Sequence, residues 1–458
     1  MSLRRYVRTL RVAFLGCLQA VTFASFIACG GHTARTLPVR TALDEGYPRE
    51  ALSVLNDEMD VKRATEIPKD LDGDNALLLL DRASVQQSLR SFRNSQRDFQ
   101  AADKAIDMLD LSPKAMEDFG KYMFSDSVGK YRAPPFEKLL INTFNMVNYL
   151  EQNDLDGAKV EARRLSVMHK YLRDKLKDEG VSLGLAAFLA GSAFLQAGDP
   201  DEALHWFDDA LRFPSLSFVR HDVAHAVALG GSYRSKRIDK ALAGGAEADA
   251  NGSEILFVIG DGRVPHKIAV RLPIGLAVAR VGILLSATTS TSALAMAGQG
   301  AVTWINYPTL DESVALTSAP LIQLDGVAVE PLSSIDLSSD VRQTFRKLED
   351  VAIASAITRM IVRAGVGAAV GAGVGAAAGR NGGGLGLLAG LLAQGVMAAV
   401  DTPDTRSWET LPGRVVIARS RVAPGTYQIT MSSRGVTHKQ TIMVAAGATK
   451  VVSLFALR

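Results

Sequence analysis

Cysteine is nearly absent from the chain, and its placement is informative. The two cysteines among the 458 residues are Cys17 and Cys29, both within the first thirty positions. Cleavage of a leader just before Cys29 would leave one cysteine, at the new N-terminus. An internal disulfide, a cysteine-based metal site and a catalytic thiol would then all be excluded.

Aromatic residues and net charge are also scarce. Aromatic side chains make up 6% of the sequence, and the formal net charge of +3 is too small to argue for a nucleic-acid partner. Hydrophobic residues reach 47%, so the chain can bury a sizeable core and general disorder is excluded. At this length we expect two or three domains of roughly 150 residues each.

The N-terminal segment has the pattern of a bacterial secretory signal. Four arginines within the first eleven residues precede an uncharged, mostly apolar stretch, Val12–Ala28. The following junction, FIACG at residues 26–30, resembles a lipobox, in which the cysteine is lipidated and becomes the first residue. We therefore predict a signal peptide over residues 1–28 and lipidation of Cys29, with an uncleaved N-terminal anchor as the alternative. Because Gly30 rather than Asp follows, the resemblance to Gram-negative lipoproteins implies the periplasmic side of the outer membrane.

Small and aromatic residues recur at fixed offsets within Ala187–Pro214. The spacing predicts a helix, a turn at Gly198 and a second helix, as in the tetratricopeptide repeat (TPR), where small residues let two helices approach closely. Such repeats bind other proteins. The aromatic residues of these helices are therefore our candidates for a partner-binding groove: Tyr149, Phe194, Trp206 and Phe207.

Degraded copies of the same pattern occur earlier in the chain. Gly46–Leu52 repeats the Gly-to-Ala offset of five, and Tyr149–Ala162 matches the best copy at a constant shift of 45. In the second copy Asn153 stands in the place of the turn glycine, which fits a left-handed backbone conformation. We predict a TPR-like α-helical solenoid over residues 29–245, with a generic helical bundle as the alternative.

His221 and His225 have a spacing that could bind a metal ion. Two histidines four residues apart share a helix face and could hold zinc, but Asp222 replaces the glutamate of the HExxH motif and no third ligand cluster follows. We therefore predict no metal, no cofactor and no catalytic residue.

The pattern changes after Ala246–Glu254, where we place a domain boundary. We predict a β-rich domain over residues 254–458, in which Ile255–Ile259 and Lys267–Leu272 form a hairpin, and Asp325-Gly326 turns a second hairpin within Leu321–Glu330. Further strands are expected at Val302–Tyr307, Val415–Arg419, Thr426–Ser432, Val436–Val444 and Thr449–Leu457. The spacing of the last four suggests a small sandwich like that of PEGA-like modules.

Between these strands we expect a helix and a glycine-rich hairpin over about residues 340–400. Ser338–Asp340 offers an N-cap, and Val341, Phe345, Leu348 and Ala352 follow at helical spacing. Glycine then recurs every four residues from Gly367 to Gly379, a glycine-zipper pattern that forms a groove for close helix packing. Three arrangements remain open: the hairpin packs on the sheet, lies in the membrane, or pairs with another copy.

One further stretch carries a resemblance. Asp404–Pro412, DTRSWETLP, followed by Val416–Arg419 and Pro424–Thr426, is similar to a family of TPR-containing bacterial lipoproteins of uncharacterised activity, as is the strand and turn at Glu254–Pro265. Members of that family tend to be encoded near curli-transport-type and penicillin-binding-protein-activator-type lipoproteins. Because the family has no established activity, the resemblance implies no catalytic residue.

These observations favour a lipid-anchored scaffold over an enzyme. The repeats would bind envelope proteins, the anchor at Cys29 would attach the chain to the membrane, and no nucleic acid is involved. One alternative is a homo-oligomeric secretion component that inserts its glycine-zipper hairpin into the outer membrane. A less favoured alternative is a zinc-dependent envelope hydrolase that uses His221, Asp222 and His225.

Overall fold

The structure is a computed structural model of the chain. It describes residues 32–109, 131–177, 180–245, 252–285, 287–298, 304–312, 319–377 and 403–458. The leader, Cys29 and most of the glycine-rich tract, from residue 378 to 402, lie outside the described residues. The predicted α+β class is confirmed, with helices in the first half and sheets with further helices in the second.

The first half consists of helices. Their bounds are α1 His32–Arg35, α2 Leu37–Glu45, α3 Pro48–Glu58, α4 Asn75–Ser88, α5 Phe92–Ala105, α6 Pro135–Glu151, α7 Leu155–Lys170, α8 Val181–Gln196, α9 Pro200–Ala210, α10 Arg220–Ala228 and α11 Lys236–Ala243. A short parallel pair, β1 Asp107–Met108 and β2 Arg132–Ala133, interrupts them. Consecutive helices pack together as α2 with α3, α4 with α5, α6 with α7 and α8 with α9.

The turns of these helix pairs have the predicted backbone conformation. Gly46, Asn153 and Gly198 all have positive φ angles, of 87°, 57° and 77°. The packing is also as predicted, because a Cβ atom on Gly191 would lie 2.5 Å from the ring of Phe207. Only glycine lets α8 and α9 approach this closely.

The second half contributes the sheets. Their strands are β3 Ser253–Arg263, β4 Lys267–Pro273, β5 Trp304–Leu310, β6 Leu321–Leu324, β7 Val327–Ala328, β8 Pro331–Asp336, β9 Pro412–Val422, β10 Gly425–Ser433, β11 Val436–Val444 and β12 Thr449–Ala456. Two four-stranded sheets, ordered β12-β3-β9-β8 and β11-β10-β6-β7, enclose one core, and β4 pairs with β5. The helices of this half are α12 Ile274–Val281, α13 Ala287–Gly298 and α14 Leu337–Ala377.

Of the two hairpins predicted from the sequence, one is confirmed and the other is wrong. The turn at Asp325-Gly326 is confirmed, because β6 and β7 pair across it and both turn residues have positive φ. The hairpin predicted from residues 255–259 and 267–272 is wrong: β3 lies between β12 and β9, while β4 pairs with β5. Gly260, expected in the turn, lies inside β3, where a Cβ atom would be 2.5 Å from the ring of Phe455.

The two predicted domains share a core. Alternate residues of β3 face opposite sides, so that Phe257 packs in the sandwich while Leu256 packs with helices of the first half. Phe455 of β12 contacts Phe144 of α6 edge-on, with ring centroids 5.9 Å apart. The sheet β12-β3-β9-β8 is therefore buried on both faces, which explains the nearly continuous apolar run of β3.

The described part of the glycine-rich tract is helical. Gly367, Gly371 and Gly375 lie within α14, which continues as a helix to Ala377. Among the described residues, no helix has both the length and the apolar character needed to cross a membrane. The predicted returning arm lies outside the described residues.

Candidate functional site

The segment Asp404–Pro412 lies between the two halves. Trp408 is fully buried, with Phe99 and Phe144 edge-on to its ring at 5.7 Å and 6.2 Å. Its indole Nε1 donates a hydrogen bond to Ser84 Oγ at 3.0 Å. A buried tryptophan whose N–H is satisfied fixes this segment firmly against α4 and α6.

The two residues that follow Trp408 make buried polar contacts with helices of the first half. Thr410 donates two hydrogen bonds to Asp81 Oδ1, from its backbone N at 3.0 Å and from Oγ1 at 2.8 Å. Glu409 accepts from Thr36 Oγ1 at 2.6 Å and forms a buried ion pair with Arg40. Burial, and after it the charge of Glu409, raises the pKa of Asp81 to about 7.

His32 lies at the edge of the same network. Its Nδ1 is 3.5 Å from Asp74 Oδ2 and its Nε2 is 4.0 Å from Asp81 Oδ2. Burial alone would lower the pKa of His32, but Asp74, Glu409 and Asp81 together raise it above its ordinary value. The network thus ties the first described helix to the core.

A cavity of about 480 Å³ lies beside this segment, between α6, β4, β5 and α14. One side of its apolar wall is formed by the stripe of α14 that the sequence analysis identified. The apolar residues that line it are Leu109, Pro134, Phe136, Pro265, Pro308, Leu310, Val341, Phe345, Leu348 and Ala352. The volume is in the range of small-molecule sites, roughly 300–1,000 Å³.

The polar end of the cavity is formed by residues from distant segments. Tyr131 Oη donates to Glu137 Oε2 at 2.6 Å, and burial raises the pKa of Glu137. Arg406 donates to Asp404 at 2.8 Å and 2.7 Å. Burial alone would raise the pKa of Asp404, but Arg406 holds it below its ordinary value. Each carboxylate of this buried end therefore already has a partner.

Two hydrogen-bond donors at the polar end remain available. Lys267 Nζ donates to the Arg406 carbonyl at 2.9 Å, which uses one of the three N–H groups of its ammonium. The Ser407 hydroxyl is buried and has no hydrogen-bond partner among the described residues. An apolar wall that ends in donors fits an amphipathic ligand whose polar head presents an acceptor oxygen.

The residues predicted to line a partner groove are interior. The exposed fractions of Tyr149, Phe194, Trp206 and Phe207 are 8%, 2%, 7% and 0%. The groove assignment is corrected accordingly, because these rings fill the spaces between paired helices: a Cβ atom on Gly157 would lie 2.1 Å from the Tyr149 ring. Cys29, the predicted lipidation site, lies outside the described residues.

The histidine pair lies at a junction between helix and sheet. Asp222 accepts a hydrogen bond from Arg419 Nη2 at 2.5 Å, and Arg419 Nε lies 3.3 Å from Glu254. Asp222 is therefore committed to an ion pair that ties α10 to β9. Within the described part of the chain, no group of three or more histidine, cysteine or acidic residues is arranged to hold a metal ion.

Sequence reasoning did not find the cavity. The stripe on α14 was visible, but helical periodicity does not distinguish a face that packs from one that lines a cavity. The polar end combines Tyr131, Glu137, Lys267 and Ser407, which no local motif connects. No protein-family model, curated protein or solved structure matches this chain.

Proposed function

We propose that the chain is a lipid-anchored binding protein of the cell envelope, on the periplasmic side of the outer membrane, and that the cavity is its ligand site. The ligand is a small amphipathic molecule with an apolar chain and a polar head that accepts hydrogen bonds. In this proposal the anchor is the lipid on Cys29, and the helix pairs act as a TPR-like scaffold for envelope proteins, as the repeat pattern of the sequence suggests.

The observation that carries the ligand assignment is the unpartnered hydroxyl of Ser407 at the polar end of a cavity whose remaining wall is largely apolar. A buried polar group without a partner costs about 1–3 kcal/mol. A ligand oxygen placed beside Ser407 and Lys267 would offset this cost, while the chain of the ligand would cover the α14 stripe.

Protein docking would use outward faces of the helix pairs, because the aromatic residues between the helices are buried. On α7, Val160 and Val167 are exposed by 43% and 74%. Crosslinking in intact cells with a photoreactive residue at position 167 would test this part of the proposal. Capture of one specific envelope protein is expected, and equal capture from a buried control position such as 194 would contradict it.

The ligand assignment is tested by titrating laurate into the purified protein and measuring heat. Ser407→Ala keeps the packing and removes the unpartnered hydroxyl, so stability should stay the same or rise. Laurate affinity should fall by about tenfold, the equivalent of 1.4 kcal/mol. Unchanged affinity in this variant, or no laurate binding by the wild type, would contradict the proposal.

A further inference from the structure

A small apolar lobe lies at one end of the second half. It is built from α12, α13, the β4-β5 pair and the part of α14 around residues 353–360, and it has its own core, separate from the main one. Residues 274–304 contain a single charged side chain, that of Arg280. In a chain that is 22% charged, so long a stretch with one charge indicates a surface that does not face water alone.

The lobe also exposes large apolar side chains. Among the described residues, fourteen large apolar side chains are exposed, and five of them belong to this one stretch. Their exposed fractions are 61% for Leu276, 95% for Ile283, 54% for Leu284, 54% for Leu294 and 43% for Trp304. The other nine are spread over the remainder of the described chain.

A hydrogen bond connects the strand that leads into the lobe with the N-terminal region that follows the proposed anchor. Thr33 Oγ1 donates to the Lys267 carbonyl at 2.7 Å, and β4 leads from Lys267 directly into α12. Cys29 precedes Thr33 by four residues, so a fully extended chain reaches at most about 14 Å. A lipid on Cys29 therefore holds the base of β4 near the bilayer, and β4 itself is only roughly 20 Å long.

The charged residues around the lobe are also those expected beside a lipid bilayer. Arg280 pairs with Glu349 at 2.6 Å and with Asp350 at 2.9 Å. One turn earlier on α14, Arg346 and Lys347 are exposed and have no acidic partner among the described residues. Unpaired cations beside an apolar patch that includes a tryptophan are typical of segments that lie in a bilayer interface.

We propose that the lobe rests on the lipid bilayer, with Leu276, Ile283, Leu284, Leu294 and Trp304 in the boundary between headgroups and acyl chains. This inference rests on the proposed lipid anchor, which keeps the lobe at the membrane. The contact is interfacial: no described helix has the length and apolar character to cross the bilayer, and the lobe adds its own attachment to that of the anchor.

Vesicle flotation of the chain from residue 30 onward, made without leader or lipid, tests the lobe separately from the anchor. The vesicles contain phosphatidylethanolamine with phosphatidylglycerol, or phosphatidylcholine alone. The double variant Ile283→Asp with Leu284→Asp places charges on the lobe. The matched control, Val167→Asp with Met443→Asp, places the same charges on side chains that are 74% and 77% exposed elsewhere.

The wild type and the control should float with the vesicles, more strongly with phosphatidylglycerol, and the lobe variant should partition about tenfold more weakly. Equal flotation of the two variants, or no flotation of the wild type, would overturn the proposal. Light scattering adds a third outcome. If the wild type is a dimer that does not float, while the lobe variant is a monomer, a second copy of the chain covers the lobe. That result would also overturn the proposal. Laurate titration of the same samples reports on the cavity independently, so the two proposals fail separately.

Discussion

The carboxylate of Asp340 caps a helix that lies 159 positions earlier in the chain. Asp340 Oδ2 accepts a hydrogen bond from the backbone N–H of Ser182 at 2.8 Å, and Oδ1 accepts from Val181 at 3.0 Å. These two N–H groups belong to the first turn of α8, where a negative charge is stabilising. The start of α14 therefore holds the central helix of the first half in place.

Asp340→Ala removes both acceptors and should lower the free energy of unfolding by roughly 1–2 kcal/mol, as loss of an N-cap does. Asp340→Asn keeps an acceptor oxygen and should cost less. Urea unfolding followed by circular dichroism checks both variants. If Asp340→Ala were as stable as the wild type, the cap would have no energetic role.

Trp408 provides a second test of the shared core. Trp408→Ala should cost about 3–5 kcal/mol, because it leaves a cavity beside Phe99 and Phe144. Ser84→Ala leaves the indole N–H unpaired in the core and should cost about 1–3 kcal/mol. Both losses should shift one unfolding transition of the whole chain. Two separate transitions, with only one of them shifted, would mean that the halves fold independently.

The pKa of Asp81 predicts how stability depends on pH. Its value of about 7 lies above the ordinary 3.8, so between these values the folded state holds a proton that the unfolded state has lost. Stability therefore falls as the pH rises through this window, and His32, whose pKa is also raised, contributes in the same direction.

Urea unfolding at about pH 5.5 and about pH 8 measures this effect. Asp81 should shift the difference in stability between the two pH values in favour of the lower pH. Asp81→Asn should reduce the difference, because its amide oxygen still accepts from Thr410 while the side chain no longer titrates. An equal difference in both proteins would contradict the assignment to Asp81.

Much of the secondary structure followed from local pattern. The alternating or continuous apolar runs at residues 255–259, 267–272 and 436–444 all form strands, and the three repeat turns adopt left-handed conformations. Pairing did not follow, because a strand buried on both faces, such as β3, carries no alternation that would indicate its neighbours. The capping of α8 by Asp340 could not be predicted either, because an aspartate at the start of a helix normally caps that same helix.

The candidate site was predictable only in part. The helical spacing of Val341, Phe345, Leu348 and Ala352 predicted an apolar helix face. The sequence DTRSWETLP singled out residues 404–412 as a segment of interest. The remainder of the site depends on how deeply that segment is buried. Trp408 fills the core, and its neighbour Ser407 lines the cavity. Neither fact has a local signature, because both depend on contacts between segments hundreds of residues apart.

The most direct measurement of the central claim is laurate titration into a protein whose cavity has been filled. Thr344 lines the cavity, and its neighbour Gln343 is exposed and does not. Thr344→Trp should weaken laurate binding by about tenfold or more, while Gln343→Trp, with the same bulk one position away, should bind like the wild type. Equal affinity in the two variants would show that laurate binds elsewhere and would contradict the assignment of this cavity as the ligand site.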